Sequence, residues 1–317
     1  MKIMLLAVLL LAAALAQAQS GVYPSHPVKM VVTFSAGGGA DAAGRLAARH
    51  LQDRLGQPFV VENRPGANGV VGLDYVAKSA PDGYTLVTAS LGTVTPTFMK
   101  DLTLDVERDF APVSLFYRGG FGVFIPASIP ARTLTEFVAY VRANAGKLNN
   151  GTATPVTTLA SGLFKKLAGI ELVEVLYKGE PGVINDMLGG QIQMAMSTTT
   201  AYKPMIDAGR IRMVAATGET RSPVYPDIPT AEEQGYKGFT AGYSSGLWAA
   251  GGTPRNIIDR LNREFVAITQ IQEVKDYFRN IVGAEALGST PEAFRDMTRR
   301  EQVFWAQAAK AANYKPE

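Results

Sequence analysis

The sequence contains no cysteine. Its fold therefore holds without disulfides, and a thiolate metal site, a thiol nucleophile and a lipid-modified cysteine are all excluded. Histidine is nearly absent too, with His26 and His50 as the two examples. His26 stands in a Ser-His-Pro lead-in and His50 on a predicted helix, places that suit exposed or structural roles rather than catalysis. The letters of a nucleophile elbow occur at Gly242, Ser244 and Gly246, but that fold needs a histidine after the serine in chain order, and none follows His50. No Walker A pattern is present. An excess of one charge is lacking as well. Against 31 Lys and Arg stand 28 Asp and Glu, scattered along the chain, so neither nucleic acid nor an anionic membrane is an expected partner. The residues thus supply no histidine- or cysteine-based catalytic set, no His- or Cys-rich metal spacing and no cofactor motif of high specificity; the 28 Asp and Glu leave a carboxylate pair open, although their usual role is a solvated face.

What is present begins with an address. Lys2, an apolar run over residues 3–16, and small residues at Ala16 and Ala18 describe a secretory signal peptide over residues 1–18. The run is too short to span a bilayer. The chain that remains after cleavage, about 300 residues, is larger than one compact core usually grows, so two lobes are expected. A hydrophobic share of 47% and a charged share of 19% are globular values.

Residues 28–45 organise the first part. A short apolar, β-branched run over 28–34 reads as a buried strand, Ser35, Ala36, Gly37, Gly38 and Gly39 as a loop, and Asp41 as the N-cap of an Ala-rich helix. Glycines let backbone approach a ligand, and the free N–H groups of a helix start favour an anion. Two other readings fit the same letters: an ordinary βα turn, or a loose dinucleotide fingerprint through Gly37, Gly39 and Ala42 with Glu62 downstream. The export signal weighs against a soluble nicotinamide cofactor. A second strand over 59–61, a second glycine-rich loop over 66–72 and a third strand over 84–89 follow. Alternating β and α elements predict an α/β fold with parallel strands whose ligand lies beyond their carboxyl ends. The third strand ends in hydroxyls suited to an oxyanion: Ser90, Thr93 and Thr95.

Further along, an apolar stretch over 113–125 is broken by Arg118-Gly119-Gly120, as a crossover to a second lobe would be. Thr133 and Glu136 form a capping box for a helix to 144. Helices are predicted over 157–168 and 181–188, strands over 172–176, 191–196 and 211–216, a returning strand over 239–250, and helices over 257–267, 274–281 and 291–312.

Several motifs occur together in a fixed order: Tyr23-Pro24 through Arg45; Val61-Glu62-Asn63-Arg64-Pro65-Gly66-Ala67 with Gly69; Ala80-Pro81-Asp82-Gly83-Tyr84; Asp109-Phe110-Ala111-Pro112; Tyr177-Lys178-Gly179; Leu188-Gly189-Gly190-Gln191; Pro226-Asp227-Ile228-Pro229-Thr230; and Gly252-Thr253-Pro254. Their order over nearly the whole mature chain resembles the Bug (TctC-like) family, the periplasmic solute-binding proteins of tripartite tricarboxylate transporters. The resemblance implies an α/β, two-lobed type II (Venus flytrap) fold. One lobe would comprise residues 23–122 with 242–317, the other 123–241. It implies a monomer that captures a small organic carboxylate by lobe closure and delivers it to the membrane subunits of such a transporter. Carried onto this chain, the first-lobe site is Ser35 to Asp41, Ala67, Asn68 and Gly69, with Thr88, Ser90 and Thr93 at the third strand end. The second lobe contributes Thr157 and Thr158, then Ser197 and Thr198. Here the chain departs from the family pattern: threonines replace a Gly/Ser-rich turn before Leu159, Ser197 replaces a common Asp, and a Trp of the returning strand is displaced to Trp248. Lys178 and Arg64, although in matched motifs, are read as a solvated charge or a lobe-internal ion pair. Two alternatives remain: a periplasmic sensing partner of a sensor kinase, and a periplasmic carboxylate-processing enzyme.

The signal reading predicts a mature protein beginning near Gln19 in the soluble periplasmic fraction. N-terminal sequencing after fractionation checks this, and Met1 retained on a membrane-bound product would overturn it.

Overall fold

The opening strand is apolar on both faces because a helix covers each of them. In the computed structural model, which describes residues 23–37, 39–94, 102–312 and 314, β1 (Val28–Val32) sends Val28 and Met30 to one side and Val31 to the other. Successive strand side chains alternate between faces, so these two sets meet different partners. Ala43, Ala47 and Leu51 of α1 (Gly39–Leu55) pack on the first face, and Leu73 and Val76 of α2 (Val70–Ala77) on the second. The helices are also the crossovers that parallel pairing requires: β2 (Phe59–Asn63) and β3 (Thr85–Ala89) both run parallel to β1, one on each side.

The chain then passes along β4 (Phe110–Gly120) into β5 (Gly122–Pro126), which belongs to a different sheet. There α3 (Leu134–Ala143), β6 (Asn149–Thr152), α4 (Pro155–Ala168), β7 (Val173–Leu176), α5 (Glu180–Leu188), β8 (Met194–Ser197), α6 (Thr199–Asp207) and β9 (Ile211–Ala216) follow. The chain returns through β10 (Gly242–Ala250) to α7 (Arg255–Thr269), α8 (Gln272–Tyr277), a π-helical turn over Phe278–Val282, β11 (Glu285–Ala286) and α9 (Pro291–Ala312).

The two sheets share a plan. Their orders are β11-β4-β10-β3-β1-β2 and β7-β6-β8-β5-β9. Each contains three parallel strands flanked by an antiparallel strand that joins from the other lobe, β10 beside β3 and β5 beside β8. This is the two-lobed type II arrangement. Register decides which way the parallel strands point. Ser197, the last residue of β8, pairs with Gly122 at the first crossing. Ala89, the last of β3, pairs with Gly246 near the second. The carboxyl ends of both parallel sets therefore face the crossings, and the helices that follow them start there.

One buried hydroxyl fastens the crossings together. Phe121 N–H donates to Thr217 Oγ1 at 3.0 Å, and Thr217 Oγ1 donates to Ala241 O at 2.5 Å. Thr217 is fully buried. The strands pass so closely that a Cβ on Gly120 would collide with the Gly218 backbone, and one on Gly242 with the Gly119 carbonyl. At the back, α9 packs on both lobes. Phe294 and Met297 join the first lobe's core, with Phe294 against Trp248, whereas Trp305 and Ala308 join the second's.

Two elements differ from expectation. Residues 199–207 form α6 and residues 149–152 form β6, although both are polar for their places. Partners from other elements engage their buried polar groups: Asn150 Nδ2 donates to Ser161 and Glu174, and Ser222 to Thr199. The expected signal segment, residues 1–18, lies outside the described residues.

Thr217→Val keeps the shape of the clasp and strands a buried N–H and a buried carbonyl. Each such group costs about 1–3 kcal/mol, so the variant is expected to lose about 2–4 kcal/mol in urea unfolding at pH 7.

Candidate functional site

The first-lobe loops meet at the end of β1. Ser35, Ala36, Gly37 and Gly39 are exposed, and Gly37 takes a left-handed φ of 86°. Gly38 lies outside the described residues. In the second loop, four consecutive residues have positive φ: Gly66 at 131°, Ala67 at 46°, Asn68 at 53° and Gly69 at 95°. For Ala67 and Asn68 that conformation is strained, and such strain concentrates at functional sites. Gly69 packs on Thr33, so this loop backs onto the residue that follows β1.

Asp41 fixes the first loop, from a place that differs from the expected one. The helix starts two residues earlier, at Gly39, and Asp41 sits inside its first turn rather than at the N-cap. Its carboxylate reaches back to accept from Gly37 N–H at 2.9 Å. It also accepts from Arg45 Nε at 3.0 Å and from Asn63 Nδ2 at 2.9 Å. Asn63 in turn donates to Phe34 O at 3.0 Å. A carboxylate in the first turn complements the helix dipole, which favours this position. Hydrogen bonds from Arg45, Gly37 and Asn63, in that order, hold the Asp41 carboxyl down at about 2.

Beside this loop a cavity of about 60 Å³ opens at the carboxyl end of β3. Phe34, Ala40, Thr88, Ser90, Tyr117 and Ser245 are among its walls, and among the described residues its lining holds no Lys or Arg. Thr93, half-buried, donates its hydroxyl to Ser90 O at 3.1 Å. Tyr117 and Ser245 escaped the sequence reading. They arrive here because β4 and β10 pair with Ser245 opposite Tyr117, a juxtaposition of residues far apart in the chain that no local pattern announces. The displaced Trp248 belongs to the core, its Nε1 donating to Ala89 O at 3.3 Å.

The second-lobe residues are differently placed. Thr157 is buried and its hydroxyl is engaged in a capping box with Thr154. Thr158 Oγ1 donates to Thr152 Oγ1 at 2.9 Å and Thr154 O at 3.0 Å. Ser197 ends β8, and Thr198 is the N-cap of α6 with no side-chain capping bond. Thr200, in the first turn of α6, lies against Gly283 of the first lobe. Of the two cations weighed from sequence, Arg64 is spent within the first lobe, paired with Glu62 at 2.5 Å and stacked on Tyr75 at 3.6 Å. Lys178 is exposed in the loop before α5.

A depressed carboxyl stabilises the fold at pH values above its unfolded pKa, and this contribution disappears as pH falls through the folded value. From an ordinary 3.8 to about 2, the difference is on the order of 2 kcal/mol. Asp41→Asn is expected to lose about that much at pH 7. The gap to wild type should narrow between about pH 4 and pH 2 in denaturant unfolding, and a pH-independent gap would assign the loss to something other than this charge.

Comparison with known proteins completes the site. The model of the tripartite tricarboxylate transporter family receptor, TctC, matches residues 43–283. The chain is similar to R. palustris Rpa4515, solved with adipate, at 30% identity and a TM-score of 0.75 over 93% of this chain and 100% of that one. It is similar to the periplasmic binding protein BugD at 31% identity and a TM-score of 0.71 over 93% and 100%. MatC from Rhodopseudomonas palustris, with bound malate, matches at 28% identity and 0.70 over 90% and 99%. These are receptors rather than enzymes. With its two-lobed fold and its family match spanning most of both lobes, the chain belongs to the TctC, or Bug, family of tripartite tricarboxylate transporter receptors.

Proposed function

We propose that this receptor works in the periplasm, captures a small organic carboxylate between its lobes and presents the closed form to the membrane subunits of a tripartite tricarboxylate transporter. The observation that carries the reading is the cavity beside the start of α1, whose walls carry the hydroxyls of Thr88, Ser90 and Ser245 and, among the described residues, no Lys or Arg. Such a site neutralises a carboxylate without burying an opposing charge that must itself lose water. Adipate in Rpa4515 and malate in MatC support the ligand class.

The carboxylate would meet Ser35 to Gly39, Ala67 to Gly69, and Thr88, Ser90 and Thr93. Lobe closure would bring Thr157, Thr158, Ser197 and Thr198 of the second lobe toward it. A ligand that touches both lobes binds the closed state better and shifts the population toward it. The moving bodies in this proposal are residues 23–122 with 242 onward, and 123–241, the far half of α9 travelling with the second body.

A thermal-shift screen of organic acids tests the ligand class, since a ligand at about 100 times its dissociation constant adds about 2.7 kcal/mol of stability. With a hit in hand, Gly39→Val separates ligand approach from folding. Nothing lies within 4 Å of a Cβ built there, and its φ lies outside the left-handed region. The melting temperature should hold while calorimetric affinity falls by about 2 kcal/mol, roughly thirtyfold. Lys178→Ala should change affinity by less than about twofold, well under 1 kcal/mol. The reverse pattern would sink the backbone reading.

A further inference from the structure

A second carboxylate-shaped feature lies on the opposite lobe, and the protein itself supplies it. Glu180 is the first residue of α5, directly after Gly179, and this helix start has no side-chain cap. N–H groups at such an end favour an anion. The Glu180 side chain also reaches across to the elements that follow. Tyr202 Oη donates to Glu180 Oε2 at 3.0 Å, and Ser197 at the end of β8 hydrogen-bonds the same carboxyl. Tyr202 is fully buried and stacked on Phe124 at 4.1 Å, so it is a fixed donor. Burial lifts the Glu180 carboxyl above its ordinary value, the two hydroxyls oppose that shift, and no cation contributes. The group is a held carboxylate, not a surface charge balanced by a lysine.

Its position relates it to the cleft. Ser197, one of its partners, pairs with Gly122 at the first crossing. The start of α6, which carries Tyr202, touches the first lobe where Thr200 meets Gly283. Glu180, four residues after the end of β7 and bonded to the last residue of β8, therefore lies on the side of the second sheet where its parallel strands end and the first crossing passes. The hydroxyls of Thr157 and Thr158, elsewhere in the second lobe, are already engaged internally. On the first-lobe side Phe34, 54% exposed, offers an apolar ring at the cavity wall.

Resting on the reading that the first lobe takes a carboxylate, we propose that Glu180 fills the place of a ligand's far carboxylate, so that this receptor selects carboxylates whose far end bears no negative charge. A second carboxylate on the ligand would meet a like charge in a partly desolvated pocket, with no cation to offset it. An apolar or hydroxylated far end meets the Phe34 ring and the hydroxyls of the second lobe without that repulsion. This separates the chain from its relatives solved with adipate and malate, both dicarboxylates.

Matched probes test it: butyrate with succinate, hexanoate with adipate, and benzoate with terephthalate, titrated calorimetrically into the mature protein and into Glu180→Gln. Gln keeps an acceptor for Tyr202 and removes the charge. Wild type is expected to bind the monocarboxylate of at least one pair tenfold or more tighter than its dicarboxylate partner. In Glu180→Gln the dicarboxylate should gain tenfold or more while the monocarboxylate moves less than threefold. Thermal melts establish that the variant folds, and if it does not, the wild-type ratio decides alone. Wild-type preference for the dicarboxylates would overturn the proposal, as would an unchanged ratio in the variant. So would weaker dicarboxylate binding in Glu180→Gln, which would make Glu180 a proton donor to that group. If no probe binds either protein, the carboxylate reading of the first lobe falls along with the proposal, an outcome distinct from failure of the Glu180 assignment alone.

Discussion

The hydroxyl of Thr217 is the smallest group on which the architecture depends. It accepts from the strand that leaves the first lobe and donates to the segment that returns to it, so the two crossings are held as one ribbon. Because the ribbon lies beside Ser197 and near Ala89, the carboxyl ends of both parallel sets are turned toward each other. A cleft lined by helix starts follows from that alone. Glycine at 120, 218 and 242 is the steric condition: a side chain there would press on the backbone of the neighbouring segment and lengthen the bonds that Thr217 makes.

Within the first lobe, Asp41 resolves an apparent conflict between holding a loop and binding an anion. Its carboxylate occupies one amide, that of Gly37, and so withdraws it from any ligand. In return the loop is tied to α1 and, through Asn63, to β2. Arg45 neutralises the charge locally, at 3.0 Å. The start of the helix thus lies beside the cavity in a fixed frame with its one carboxylate paired, a state in which backbone dipoles are free to attract an anion. The strain at Ala67 and Asn68 next door is tolerated because Gly66 and Gly69 bracket it and Gly69 rests on Thr33.

How much of this was legible depends on where the determining partner lies. The parallel strands of the first lobe could be read because apolar, β-branched runs are punctuated by Gly and Pro, and glycine after a strand marks a place where backbone is bare. The strand, glycine loop and helix over residues 28–55, and the strand that ends beside Thr88 and Ser90, were reachable from that rule. The second lobe was harder. β6 carries Asn-Asn-Gly-Thr, which reads as a turn until Glu174, on the adjacent strand, supplies acceptors for Asn150 and Thr152. Residues 199–207 contain Pro204 and a threonine run, and are helical through packing of Tyr202 on Phe124. Tyr117 and Ser245 reach the cavity through strand pairing, and Glu180 reaches Ser197 and Tyr202 because α5 packs against β8, whose end leads into α6. A carboxylate directly after Gly179 was the one local sign available for it.

The lobes are unequal in a way that bears on closure. Ser35, Ala36 and Gly39 of the first lobe are exposed, whereas the hydroxyls of Thr157 and Thr158 in the second are already engaged. The ligand's strongest contacts should then form before closure, leaving a smaller increment to shift the lobes. A modest increment suffices only if little resists the motion. The Arg118–Glu219 pair spans the lobes, but Glu219 is 55% exposed, and exposed pairs contribute about 0–1 kcal/mol. The apolar contacts of α9 with both cores are far larger, so a rotation that preserves them must pivot where the helix passes from one lobe to the other. Glu301 stands there, half-buried, accepting from Ser244 of the returning strand at 3.0 Å. The middle of α9 and the clasp of the crossings are therefore joined through β10 and the residue that precedes it, which is where a hinge, as opposed to a sliding contact, would have to lie.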